Sequence, residues 1–297
     1  MRHLPRLFAA LLGLLLPIAV ARAAAPTFTV AGSDLLGPEF SAGVSAFAKR
    51  ADLAVALRLT GSRAGLEALQ SGRADLALLM FAADERPPAA PYVARPVAFC
   101  TAVVVVSAGL PLEQVTFEQL RAIYAAAEPA PPKFWFNLSL SSGEEWGRRP
   151  VVPVICGPGG GLSFDLFRYQ VLAAPAIRAT VTVADDPATV LRQLTTLEGG
   201  IAVLPLPPTG RRDLKALAVA RGTREVAFPP IPENIYSGDY PLRLPVQVVF
   251  RADAVKRLLP LLRFLYGADA VPLWQGANLM PLPATAREGQ VIEFEAM

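Results

Sequence analysis

The chain has 297 residues, 53% of them hydrophobic, with 28 basic and 25 acidic residues and one histidine. That suffices for one large domain or two compact ones, and the formal charge of +3 gives no basic footprint for nucleic acid or an anionic membrane surface. The histidine, His3, falls in a leader, and a chain without histidine has no Ser-His-Asp triad, Cys-His pair or histidine metal site, so neither an enzyme nor a metal or cofactor is expected.

Arg2 and Arg6 precede an apolar run over 7–20, and Ala21-Arg22-Ala23 supplies small cleavage-site residues. Residues 1–23 therefore read as a signal peptide, too short in its apolar part for a membrane span, and the mature protein is expected to be soluble in the periplasm or secreted. Three arginines leave with it, so 25 basic residues face 25 acidic ones in the remainder.

Residues 27–30 alternate as a strand, the turn Ala31-Gly32-Ser33-Asp34 follows, and Phe40, Val44 and Phe47 mark one face of a helix. The unit repeats with a strand at 57–59, the turn Gly61-Ser62, a helix through Leu66 and Leu69 ending at Gly72, and a strand at 74–80. Ser33 and Ser62 each stand beside a helix N-terminus, where capping and ligand contact are both open. Residues 84–96 read as an exposed loop and 97–107 as one apolar strand. Thr116 and Gln119 have the spacing of a capping box ahead of Phe117, Leu120, Ile123 and Tyr124. Residues 127–133 read as an extended Pro-rich insertion.

Residues 151–155 form an apolar strand, 157–161 a glycine-rich turn, and Ser163 caps a helix that turns Phe164, Phe167 and Leu172 inward. Such a turn aims backbone N–H groups at an anion, but it lacks the Gly-Lys-Ser/Thr ending of a nucleotide P-loop. Further on come a strand at 181–183, a helix at 187–196 capped by Asp186, strands at 200–204, 216–219 and 246–250, and a helix capped by Asp253 with Leu258, Leu261, Leu262 and Leu265 inside. A last short helix is expected at about 268–276. The carboxylate pairs Glu144-Glu145 and Asp185-Asp186 and the pairs Arg148-Arg149 and Arg211-Arg212 read as surface charge.

Five stretches in one order carry a resemblance: LTGSRAGLEALQSGRADLALL (59–79), TFEQLRAIYA (116–125), EEWGRRPVVPV leading into the glycine-rich turn, PENIYSGDYPL (232–242) and MPLPA (280–284). Over nearly all of the mature chain the sequence resembles the phosphate-binding proteins of bacterial ABC transporters. The resemblance implies an α/β, two-lobed type II periplasmic binding-protein fold, each lobe a mixed, mostly parallel sheet flanked by helices. Residues 24–101 with 222–297 would form lobe 1 and 102–221 lobe 2, with a hinge near 101–106.

In that family phosphate lies between the lobes, held by helix N-termini, hydroxyls and an arginine of the second lobe, with a serine and an arginine or aspartate from the first. Gly61-Ser62 keeps the family's turn, and Ser33 is followed by Asp34, but Leu35 replaces a common threonine and Met80-Phe81 a polar strand end. The pattern of arginine, three residues, then Ser-Gly-Thr falls on Cys156 and Gly160-Gly161-Leu162. Hydrogen bonds to a charged group contribute roughly 1.5–3 kcal/mol each, so losing two takes a micromolar site to about millimolar. The expectation is an exported solute-binding protein whose ligand is not tightly bound phosphate; tight phosphate binding would mean that other donors, such as Arg63 or Arg95, had taken over the arginine's role. The alternative is a ligand-free fold serving as a periplasmic interaction or scaffold module. Implied partners are a small molecule and an ABC transporter permease or other envelope protein, with the chain a monomer. Cys100 stands where the family commonly has aspartate and Cys156 where it has the ligand arginine, so the two either form a disulfide or pack as small buried hydrophobes.

Overall fold

In this computed structural model residues 27–81, 85–128, 130–138, 144–172 and 176–297 are described; the leader expected at 1–23 lies outside the described residues. β1 (Thr27–Gly32) leads into α1 (Gly37–Arg50), which buries Phe40, Val44 and Ala48 at helical spacing. β2 (Ala54–Leu59), α2 (Ser62–Gln70) and β3 (Leu76–Met80) repeat the unit. Every residue of β3 is buried, as befits a central strand covered on both faces.

β4 (Tyr92–Thr101) and β5 (Val103–Ser107) replace the single strand expected over 97–107. The run is mostly apolar because residues 97–106 are buried, and it breaks at Ala102, where the chain passes from one sheet to another. Strand structure also begins at Tyr92, inside the stretch expected to be loop. β6 (Gln114–Thr116) and α3 (Phe117–Tyr124) follow, the helix opened by the expected capping box: Gln119 N–H donates to Thr116 Oγ1 at 3.2 Å, and Thr116 N–H to Gln119 Oε1 at 2.9 Å.

After α4 (Glu144–Gly147) and β7 (Val152–Cys156) comes α5 (Ser163–Phe167), continued by a π-helical turn over Arg168–Leu172. Ser163 is the first residue of α5, not its cap; it is buried, and its hydroxyl turns back to Gly160 O at 3.4 Å. β8 (Thr182–Ala184), α6 (Pro187–Thr196), β9 (Gly200–Leu204), β10 (Leu214–Ala216) and β11 (Ala218–Ala220) complete the middle of the chain, with Asp186 capping α6 through Thr189 N–H at 2.9 Å.

α7 (Pro232–Ser237), β12 (Arg243–Arg251), α8 (Val255–Tyr266), α9 (Val271–Gly276), β13 (Met280–Pro281) and α10 (Ala284–Ala296) close the chain. Asp253 does not cap α8, because the Arg251 guanidinium engages its carboxylate at 2.7 Å. α10 is an addition to the sequence expectation, which ended with the helix before MPLPA.

The strands form a six-stranded sheet in the order β13-β4-β12-β3-β1-β2, a five-stranded sheet β10-β5-β9-β7-β8, and a small pair β11-β6. Helices flank two mixed sheets, as expected. Parallel pairing joins β1 to β2 and β3, and β7 to β8 and β9. The strands by which the chain enters or leaves each sheet run antiparallel: β12 beside β3 and β4, and β5 beside β9 and β10. The sheets are therefore less parallel than strand-helix alternation suggests. At the crossing, Ala102 N–H donates to Leu242 O at 3.1 Å, Tyr240 Oη donates to Ala102 O at 2.8 Å, and Thr101 Oγ1 donates to Pro205 O. Buried polar atoms at this junction are thus paired, as burial requires.

Candidate ligand-binding site

The expected cleft residues sit at the C-terminal ends of β1, β3 and β7 and at the helix starts that face them. At the end of β1, Ser33 is buried; its N–H donates to Leu78 O at 2.9 Å and its hydroxyl accepts from Leu35 N–H at 3.3 Å, so it caps the following turn. Gly32 lies so close to β3 that a Cβ there would stand 2.2 Å from Leu78 O. α2 packs against the same spot through Gly65. Asp34 and Leu35 face solvent, Leu35 being 44% exposed.

Ser62 opens α2 and reaches across to β3, its Oγ accepting Met80 N–H at 3.0 Å. The hydroxyl proton is left to donate elsewhere. Met80 is buried, Phe81 is half-buried, and with Ser62 they line a cavity of about 430 Å³. The structure thus brings Ser62, Met80 and Phe81 together. It adds residues that sequence reasoning did not assign to the site: Leu66 and Gln70, which follow Ser62 at helical spacing, and Arg86 from the segment after β3. The spacing was a usable signal for the first two; nothing in the sequence marked Arg86. Arg63 lines this cavity too. Arg95 does not: its guanidinium is paired with Glu293, which raises its pKa and holds the Glu293 carboxyl below the usual glutamate range.

The second group is packed differently. Cys156 ends β7 fully buried, in a cluster with Val154, Ala184 and Val190. Gly160 is buried beside it: a Cβ at 160 would lie 2.6 Å from Cys156 Sγ and 3.3 Å from Ser163 Oγ. The sulfur therefore fills the space in which a side chain at 160 would begin. Gly161 adopts φ +76, a conformation that suits glycine, and half-buried Leu162 packs on the main core. Asn278, between α9 and β13, donates through Nδ2 to Gly159 O at 3.5 Å, linking this turn to the side of the six-stranded sheet.

Cys100 and Cys156 are free thiols, so the disulfide left open by the sequence is not formed. They belong to different core clusters, Cys100 on β4 and Cys156 on β7, each surrounded by apolar side chains. Burial, with Asp165 adding to it, pushes the Cys100 thiol up to about 12; burial, with Asp186 adding, takes Cys156 to about 11. Both are neutral packing groups near pH 7. Among the described residues no group of three His, Cys, Asp or Glu could hold a metal ion, and no helix is long and apolar enough to cross a membrane.

A family model described as "PBP superfamily domain" matches residues 19–264. Protein SphX of Synechococcus elongatus is 25% identical over 300 residues, spanning 97% of this chain and 87% of its own. Among solved structures, a possible phosphate binding protein from Planctomyces limnophilus matches with a TM-score of 0.67 at 19% identity, covering 92% of this chain and 99% of its own. PstS from Borrelia burgdorferi matches with a TM-score of 0.63 at 14% identity, over 87% of this chain and 99% of its own. An ABC-type phosphate transport receptor from Vibrio cholerae gives 0.59 at 18%, over 86% and 100%. At these identities the structural likeness speaks for the fold.

Proposed function

The chain belongs to the PBP superfamily, and from that footing we propose that it is an exported solute-binding protein whose ligand is not tightly bound inorganic phosphate. In this reading residues 24–101 with 222–297 and residues 102–221 are the two lobes, Ala102 marks the hinge, and the ligand enters between β3 and the 157–161 turn. The relatives named for phosphate binding or transport support a binding role rather than catalysis. Export to the periplasm and delivery to an ABC transporter permease extend the same analogy.

One observation carries the departure from phosphate. Where the resembled family places an arginine and a serine, this chain has Cys156 in contact range of Gly160, buried and neutral. No cation stands at that position to offset the desolvation of a dianion. The backbone donors of the turn contribute only about 0.3–1 kcal/mol each through the helix dipole, less than a lost arginine. The Asn278–Gly159 hydrogen bond ties the 157–161 turn directly to the side of the six-stranded sheet, and a second reading, a scaffold module, draws on that protein-to-protein contact.

Titration calorimetry of the mature chain with phosphate at moderate ionic strength should show no saturable binding below about 100 μM, a weak-binding regime of about 5 kcal/mol. A micromolar dissociation constant overturns the proposal. A thermal-shift screen across oxyanions, carboxylates and neutral metabolites separates the two readings, since a ligand at 100 times its Kd adds about 2.7 kcal/mol.

A further inference from the structure

The cavity beside α2 has a polarity of its own. Ser62, Leu66 and Gln70 lie on one face of the helix, Arg63 and Glu67 flank them, and the groove runs about 12 Å at 1.5 Å per residue. One end holds the Ser62 hydroxyl, which accepts Met80 N–H, and the start of a nine-residue helix whose next residue is Arg63. Its wall is apolar, made by Leu66, Met80 and Phe81. Arg63 and Arg86 both line it, and neither has a hydrogen-bond or ion-pair partner among the described residues. This contrasts with Arg95, Arg149, Arg251 and Arg257, each of which is paired with a carboxylate.

We infer that this groove holds an apolar monoanion, its charged head between Ser62 and the guanidiniums of Arg63 and Arg86 and its body along Leu66, Met80 and Phe81. The inference rests on the solute-binding reading and names the class of its ligand. Glu67 and Glu85 share the lining, so the groove as a whole carries no net positive charge to offset a second negative charge on a ligand. What remains is a positive end, where the helix dipole and the hydroxyl donor add to Arg63, and an apolar flank that a free phosphate cannot use. The volume of about 430 Å³ falls within the range of small-molecule sites. Nothing in the second lobe is asked to supply charge, which agrees with the neutral Cys156-Gly160 contact.

The test titrates the mature protein with octanoate, 1-hexanol and inorganic phosphate, in wild type and in the variants Arg63→Gln, Arg86→Gln and their double. Both arginines are exposed, so melting temperatures of the variants report that folding is unaffected. Octanoate is expected to bind saturably, hexanol and phosphate not; each variant should weaken octanoate at least about threefold and the double about tenfold or more, as loss of hydrogen bonds to a charged group predicts. Equal octanoate affinity in wild type and double variant overturns the inference. So does saturable binding of another ligand class in the thermal-shift screen with none of octanoate, although the solute-binding reading then survives. Silence across every class removes that reading and the inference with it.

Discussion

Cys156 and Gly160 constrain each other. With the sulfur where a Cβ at 160 would need to be, Gly160→Ser alone overpacks a buried turn and should cost about 1–3 kcal/mol in urea denaturation. In a Cys156→Ala background the same substitution should cost clearly less, so a double-mutant cycle is expected to show coupling; additive costs would mean that the sulfur is not the obstacle. Restoring phosphate recognition calls for Cys156→Arg, Gly160→Ser and Leu162→Thr together, with the arginine's γ carbon turned out of the place the sulfur holds, since a Cβ at 160 needs that space. The identities of the missing donors were legible in the sequence, because a lost arginine can be seen against a motif. The contact between 156 and 160 was not, since it arises from how the 157–161 turn folds back on the end of β7. Ser62 is a similar case. Its place beside a helix start was readable, but its bond to Met80 N–H depends on the pairing of α2 with β3, 18 residues away.

Among elements, those with dense apolar periodicity were the ones the sequence revealed: β3, β9, α6 and the leucine face of α8. Two runs expected as single strands are each two: 97–107, buried on both faces, where nothing in the composition marks the crossing, and 216–219, whose short alternation of half-buried and buried residues runs on from β10 of the five-stranded sheet into β11 of the small pair. α10 escaped for the opposite reason. Phe294 is its buried residue, set edge-on against Phe250 at 5.6 Å and Tyr266 at 5.3 Å, and one aromatic makes no periodic pattern. The helix is nonetheless anchored: Glu293 pairs with Arg95 and Glu295 with Arg263 at 2.8 Å. Phe294→Ala should destabilise the protein by about 3–5 kcal/mol, the usual cost of emptying a buried aromatic site, whereas Glu295→Ala at the exposed pair should change stability by less than about 1 kcal/mol. Equal effects in thermal melts would show that charge rather than the aromatic cluster holds α10.

On the scale of the whole molecule, the two sheets differ in how they draw on the chain. The strands of the five-stranded sheet all lie between Val103 and Ala216, while the six-stranded sheet combines β1 to β4 with β12 and β13. β12 is not an edge addition: it sits between β3 and β4, pairing with both. Until residues 243–251 have been made, no strand joins β3 to β4 in the sheet. Non-local pairings form slowly, because the loop between partners must be closed before contacts reward it. Pulsed hydrogen exchange during refolding should accordingly protect amides of β5, β7 and β9 before those of β4 and β12; the reverse order would count against it. This strand order acts as a timer for folding. A nascent chain cannot complete the six-stranded sheet, and so stays incompletely folded, until nearly all of it has been synthesised.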